Sequence, residues 1–231
     1  MTPNLFLIAA PRAGSTQLSH WLASHASIGL PRIKEPNHFS AHEFDPEDVR
    51  RTHLNDVDPT DFLAKGQPVA MQFAIFRDPA QYAALYAPLT QQYRLDASTS
   101  YLACPEAPAL IHTACPTAKV ILLTRDPVER ALSHYHLARR TGRTTAPLHA
   151  ELSDELNGRV PLSARYLLRP SRQADAVSRY TETFPENQIC SLRFEDMIAD
   201  PQGALCKIAV AQFYPSTPWN AAASAPPEPV Q

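Results

Sequence analysis

The stretch "LFLIAAPRAGSTQLSHWL", residues 5–22, decides the fold. Leu5–Ala9 is a short apolar run that ends at a turn, which reads as a buried strand. Pro11 and Gly14 break it, and Leu18, Trp21 and Leu22 then recur at the spacing of one helical face. A strand that enters a helix through such a turn points several backbone N–H groups at one place. The partial positive charge of the helix N-terminus favours an anion there. Gly14 lets the backbone approach closely, Ser15 and Thr16 add hydroxyl donors, and Arg12 adds a full charge. In the Walker A pattern, Ala9 would stand at the first glycine, Gly14 at the second, and Ser15 where lysine is required. That disfavours an ATPase or GTPase and leaves open which anion the turn serves.

Outward from this stretch, two more strands are expected. Val120–Leu123 is β-rich and runs directly into Arg125 and a helix, and Gln188–Phe194 precedes another helix start. Proline gives the helices their beginnings. Asp-Pro occurs at 45–46, 58–59, 78–79, 126–127 and 200–201, and Asp at the N-cap with Pro at the first helical position is a strong start signal. In Asp126-Pro127-Val128-Glu129, Glu129 is expected to complete a capping box. Val128, Leu132 and Tyr135 are expected to share a face of that helix, and Gly142 offers a stop. Short apolar strands alternating with amphipathic helices imply an α/β fold, a central parallel sheet flanked by helices in three layers. In such sheets ligands lie at the carboxyl ends of the strands, where "PRAGST" and "TRDPVER" both fall.

The length of 231 residues suits one large domain, expected over residues 1–214, with a Pro/Ala-rich and disordered tail over 215–231. The formal charge of −2 gives no reason to expect nucleic acid or a membrane surface as partner. Between Arg125 and Arg193, however, there are eleven arginines and no lysine against eight acids, a stretch that could serve an anionic ligand. Cys104, Cys115, Cys190 and Cys206 form no C-x-x-C pair and have no close histidine partner in sequence. They read as reduced and mostly buried, with no metal site. The apolar run at the N-terminus is too short for a signal peptide or a membrane span, so a cytoplasmic location is the default expectation.

The turn "PRAGST" after a strand resembles the 5′-phosphosulfate loop of the sulfotransferases that use 3′-phosphoadenosine-5′-phosphosulfate (PAPS). "VILLTRDPVERALSHY" (Val120–Tyr135) is similar to the 3′-phosphate element of that family: strand, Arg125, helix, and Ser133 eight positions after the arginine. "IKEPNHFS" (Ile33–Ser40) resembles the Lys-Glu-x-x-His-Phe segment of the heparan-sulfate-type and related bacterial branches. "RLDASTSYL" (Arg94–Leu102) and "ETFPENQICSLRFEDMIADP" (Glu182–Pro201) resemble two further family blocks. These matches occur in family order across roughly residues 5 to 213. Arg77-Asp78-Pro79 repeats the tripeptide at Arg125, but Leu85 stands where Ser133 stands in the second copy. The first copy therefore reads as a capped helix start beside the acceptor cleft.

The resemblance implies sulfuryl transfer from PAPS to a hydroxyl or amine, without a metal. Arg12, Ala13, Gly14, Ser15, Thr16 and Gln17 would hold the 5′-phosphosulfate, and Arg125 and Ser133 the 3′-phosphate. Glu35 would be the base, with His38 as the alternative, and Arg12 would offset charge on the departing phosphate. The acceptor, a small molecule, carbohydrate or lipid, is expected to meet the segments Glu43–Lys65 and Thr141–Ala164. Ala97 stands where glycosaminoglycan enzymes often carry lysine, and the chain is not basic as a polyanion acceptor would favour. Relatives usually continue beyond the position of Phe213 through a segment that nothing here matches. Two other readings stand beside this one: a P-loop nucleotide kinase or ATPase needing Mg²⁺, and a nucleotide-binding relative without catalysis.

Overall fold

In a computed structural model that describes residues 2–47, 49, 57–159 and 167–213, Leu5–Ala9 is strand β1, with all five residues buried. A strand buried on both faces reads as an unbroken apolar run, and that is why β1 lacks polar alternation. It lies at the middle of a five-stranded parallel sheet of order β2-β5-β1-β6-β7. The partners are β2 (Ile28–Gly29), β5 (Tyr93–Asp96), β6 (Lys119–Thr124) and β7 (Ile189–Arg193). Helices connect the strands, as the alternation of apolar runs and Asp-Pro starts requires. A separate parallel pair joins β3 (Ile33–Glu35) to β4 (Met71–Phe73). The expected strands at 5–9, 120–123 and 188–194 are all present. β2, β5 and the β3–β4 pair went unread as strands because runs of two to four residues carry no clear period.

Topology and register place the turns after β1 and β6 together. From β1 the chain goes out to β2 and returns through β5 on one side, while β6 and β7 lie on the other. The carboxyl ends of β1 and β6 thus flank the point where strand order reverses, the place for a ligand in an open α/β sheet. Ala9 pairs with Leu123, so both strands end at the same level.

All five Asp-Pro dipeptides begin helical structure. Asp58, Asp78 and Asp126 each accept two N–H groups of the turn they start. Asp200 accepts from Gly203 N–H at 2.9 Å and Asp45 from Glu47 N–H at 2.8 Å. The capping box at Asp126 differs from expectation. Its own N–H donates to Glu195 Oε1 at 2.8 Å, so the reciprocal carboxylate comes from the helix after β7 and not from Glu129.

The buried face of helix Pro127–Arg140 also differs. Val128 is 63% exposed, and the buried side chains are Arg130, His134 and Ala138. Arg130 is fully buried and its guanidinium serves carbonyls. It donates to Pro11 O at 3.2 Å and to Leu167 O, and its Nε reaches Ser171 Oγ at 2.8 Å. Burial, reinforced by Arg125 and opposed by Glu155, pushes its pKa down to about 10. A pattern rule that ranks arginine as exposed cannot find this face, because unfilled carbonyls and not apolar contacts created it.

The segments expected to form acceptor loops are not loops throughout. Helix Pro59–Ala64 lies within the first and helix Leu148–Leu156 within the second, while residues 48, 50–56 and 160–166 and the proposed tail from 215 fall outside the described residues. All four cysteines are free, Cys104 and Cys190 buried and the other two partly so. Among the described residues no helix is long and apolar enough to cross a membrane.

Candidate active site

The turn after β1 is built to leave donors unused. Arg12 sits at φ 72° and Gly14 at φ 86°, both in the left-handed region. Such a conformation is strained for a non-glycine residue and is tolerated where a turn must aim its backbone. Helix Ser15–Ala23 then begins, and its first helical bond runs from Leu18 N–H to Gly14 O at 3.0 Å. The N–H groups of Gly14, Ser15, Thr16 and Gln17 precede that bond and point out of the helix end. Neither a capping side chain nor an acidic residue occupies the first turn. Ala13 is buried, its N–H donated to Ala10 O at 3.0 Å. Gly14 allows the helix end to press against Phe194 and Met197. A Cβ at this position would lie 2.7 Å from Phe194 Cδ2 and 3.0 Å from Met197 Cε.

The turn after β6 closes on the first one. Arg12 Nε donates to Ser133 Oγ at 3.1 Å, and Arg125 Nη1 donates to Arg12 O at 2.7 Å. The Arg125 guanidinium lies 4.5 Å from the centroid of the Phe194 ring, a cation–π contact that orients it. Arg125 therefore does not pair with Asp126 or Glu129, as a plain strand-end arginine would. The Arg12 pKa is lowered, first by burial and then by repulsion from Arg140 and Arg125. A guanidinium stays protonated under such pressure. The result is a concentration of positive charge beside unused N–H donors, an arrangement that favours an anion with more than one phosphate-like group.

Lys34 supplies a cation that the sequence reading did not assign. Its ammonium is buried and donates to Glu35 Oε1 at 2.9 Å, Ser15 Oγ at 3.3 Å and Ala97 O at 3.3 Å. The lysine missing from the first turn is thus brought to Ser15 by β3. The signal in the sequence was Lys34 itself, but only the β3–β4 pairing shows where its stem leads. Glu35 is 9% exposed and is held by two further donors, Gln72 Nε2 at 2.5 Å and Thr99 Oγ1 at 2.8 Å. Pairing of Glu35 with Phe73 puts Gln72 within reach. Asn37 then fixes the turn that follows: at φ 53° its side-chain amide donates to Glu35 O at 2.7 Å and Ala74 O at 2.9 Å.

Arg12, Arg125 and Ser133 form one contact network and Ser15, Lys34 and Glu35 a second, and the turn from Arg12 to Ser15 brings the two into one site. His38 is set apart from it. Its Nδ1 lies 2.7 Å from Phe76 O, and since a carbonyl only accepts, Nδ1 carries the proton. Its ring stacks on Tyr82 with centroids 4.1 Å apart. Arg77, the expected non-phosphate copy, donates to Ala41 O at 2.6 Å and Phe44 O at 2.8 Å, clamping the turn that contains His42.

Residues 3–211 match a family model described as "Sulfotransferase family". Over 136 residues the chain is 26% identical to the membrane-associated sulfotransferase kil1 of Dictyostelium discoideum, a match that covers 59% of this chain and 23% of that protein. Over 121 residues it is 26% identical to human heparan sulfate glucosamine 3-O-sulfotransferase 6, covering 52% of this chain and 35% of the relative. The chain thus spans only about a quarter to a third of the length of these curated relatives. A sulfotransferase from Alicyclobacillus acidocaldarius superimposes with TM-score 0.73 and 25% identity, covering 91% of this chain and 81% of the other. A mouse sulfotransferase, SULT7A1, solved with PAP, shares the fold at TM-score 0.54 and 17% identity, over 90% of this chain and 57% of its own.

Proposed function

Because the chain belongs to the sulfotransferase family, we propose that it moves the sulfuryl group of PAPS onto a hydroxyl or amine of an acceptor and releases adenosine 3′,5′-bisphosphate. The observation that carries this reading is the junction of two positive turns, where Arg12 Nε meets Ser133 Oγ and Arg125 reaches the Arg12 carbonyl. A donor with phosphates at both ends of one ribose needs two anion sites side by side. In this scheme the N–H groups of Gly14 to Gln17, with the Ser15 and Thr16 hydroxyls, hold the 5′-phosphosulfate. Arg125 and Ser133 hold the 3′-phosphate, and the buried Ala13 keeps the backbone of the turn in place.

Glu35 accepts the acceptor's proton as its oxygen or nitrogen bonds to sulfur. The bond from sulfur to the bridging phosphate oxygen breaks, and its electron pair stays on the phosphate. Arg12, Lys34 and the turn's N–H groups offset that charge where it develops. His38 remains the second candidate base through its Nε2. The acceptor is a small molecule, carbohydrate or lipid.

Calorimetry tests the donor site. Adenosine 3′,5′-bisphosphate is expected to bind far more tightly than AMP, with no need for Mg²⁺. Tighter, Mg²⁺-dependent binding of ATP would overturn the reading in favour of a kinase. Tight bisphosphate binding without transfer to any of a panel of carbohydrates, lipids, phenols and amines would favour a noncatalytic relative.

A further inference from the structure

We propose that His42, Cys104 and Glu106 form a zinc site that ties the segment following Glu35 to the start of helix Ala107–Ala114. Their donor atoms face one another: Cys104 Sγ lies 3.5 Å from Glu106 Oε2 and 3.8 Å from His42 Nε2, and the last two are 3.4 Å apart. The nitrogen–oxygen separation is long for a hydrogen bond. The separations of 3.4 and 3.5 Å match edges of a coordination tetrahedron instead, and the 3.8 Å from sulfur to nitrogen needs only a small closing movement of the exposed His42 side chain. Zinc bonds of about 2.3 Å to sulfur, 2.0–2.1 Å to nitrogen and 2.0–2.2 Å to oxygen place ligand atoms roughly 3.3–3.6 Å from each other. One sulfur, one imidazole nitrogen and one carboxylate oxygen is a borderline-soft set that suits zinc better than calcium or magnesium.

The scaffold holds these atoms from both sides. His42 lies in the turn His38–Glu43, whose end is fixed by Arg77 on Ala41 O and Phe44 O. Arg169 joins Glu43 of that turn to Ala103 O, one residue before the buried Cys104. Glu106 is the N-cap of its helix. His42 and Glu106 keep 52% and 59% of their side chains exposed, which gives the ion a way in and leaves the fourth position to water. The thiol of Cys104 directs its hydrogen bond to Glu106; zinc replaces that proton, which passes to solvent. Thiolate and carboxylate together neutralise the ion's two charges. None of these residues has a part in the proposed sulfuryl transfer, so the site stands or falls independently of it.

The test uses the full chain, fully reduced and metal-free, with Co²⁺ and Zn²⁺ alone as probes. Co²⁺ is expected to produce a thiolate-to-metal charge-transfer band, and Zn²⁺ to erase it. The band is lost in Cys104→Ser and kept in Cys206→Ser. His42→Gln and Glu106→Gln change exposed side chains and should leave the fold intact. Each is expected to weaken Zn²⁺ at least about 10–100-fold, a cost seen even for groups one layer outside a metal. Absence of the band in the unaltered chain, its survival in Cys104→Ser, or unchanged Zn²⁺ affinity in both glutamine variants would overturn the proposal.

Discussion

Glu35 and Arg125 carry the sharpest tests at the scale of single residues. Glu35→Gln keeps the size of the side chain, and its one oxygen can still accept from Lys34 and Gln72 while its NH2 donates to the Thr99 hydroxyl, but it cannot take a proton. General bases contribute about 10²–10⁴-fold, so turnover with a working acceptor should fall by at least about a hundredfold while bisphosphate affinity changes little. His38→Asn should be milder, because no hydrogen bond joins His38 to Glu35 or Lys34 and its ring stacks instead on Tyr82. A silent Glu35→Gln beside an inactive His38→Asn would reverse the two roles. Arg125→Ala should weaken bisphosphate binding by about 1.5–3 kcal/mol, the scale of a charged hydrogen bond. AMP, which lacks the 3′-phosphate, should lose far less. Some loss for AMP is expected all the same, since Arg125 also holds the Arg12 carbonyl at 2.7 Å. Equal losses in calorimetry would assign Arg125 to the turn alone.

Among the elements, the helix that begins at Ser15 depends on the absence of one atom, the Cβ that Gly14 lacks. Gly14→Ala must keep φ at 86° and must also displace Phe194, whose ring orients Arg125. Overpacking of this kind costs about 1–3 kcal/mol, so the denaturation midpoint should fall together with bisphosphate affinity. A variant as stable and as tightly binding as the original would show that the two turns are not mechanically joined through Phe194. The same elements show what the sequence could disclose. β1, β6 and the Asp-Pro starts were legible because each is a local pattern: an apolar run, or a cap beside its proline. The turn from β1 into the helix at Ser15 was legible for the same reason. Lys34 at Ser15, the inward face of Arg130 and the substitution of Glu195 for Glu129 were not. Each depends on a partner far away in sequence, and a carbonyl or hydroxyl waiting for a donor leaves no mark in a hydropathy pattern. The approach of His42 to Cys104, 62 positions apart in sequence, was hidden likewise.

For the molecule as a whole, the central place of β1 sets the order in which the chain can assemble. Leu5 pairs with Leu95 on one side and Lys119 on the other, so β1 has no partner in its sheet until the chain has run on to β5, 90 positions further along. Closing loops of that length before any contact rewards them slows folding, and an unpaired apolar strand invites association with other chains. Amide pulse labelling during refolding should therefore find Leu5–Ala9 protected late, after local helices such as Pro127–Arg140. Protection of β1 before β6 would mean that it docks first on something other than its neighbours in the sheet. The arrangement that brings the turns after β1 and β6 side by side thus leaves five apolar residues waiting for partners far along the chain, and the yield in a cell should depend on chaperones that shield such a strand until β5 and β6 are made.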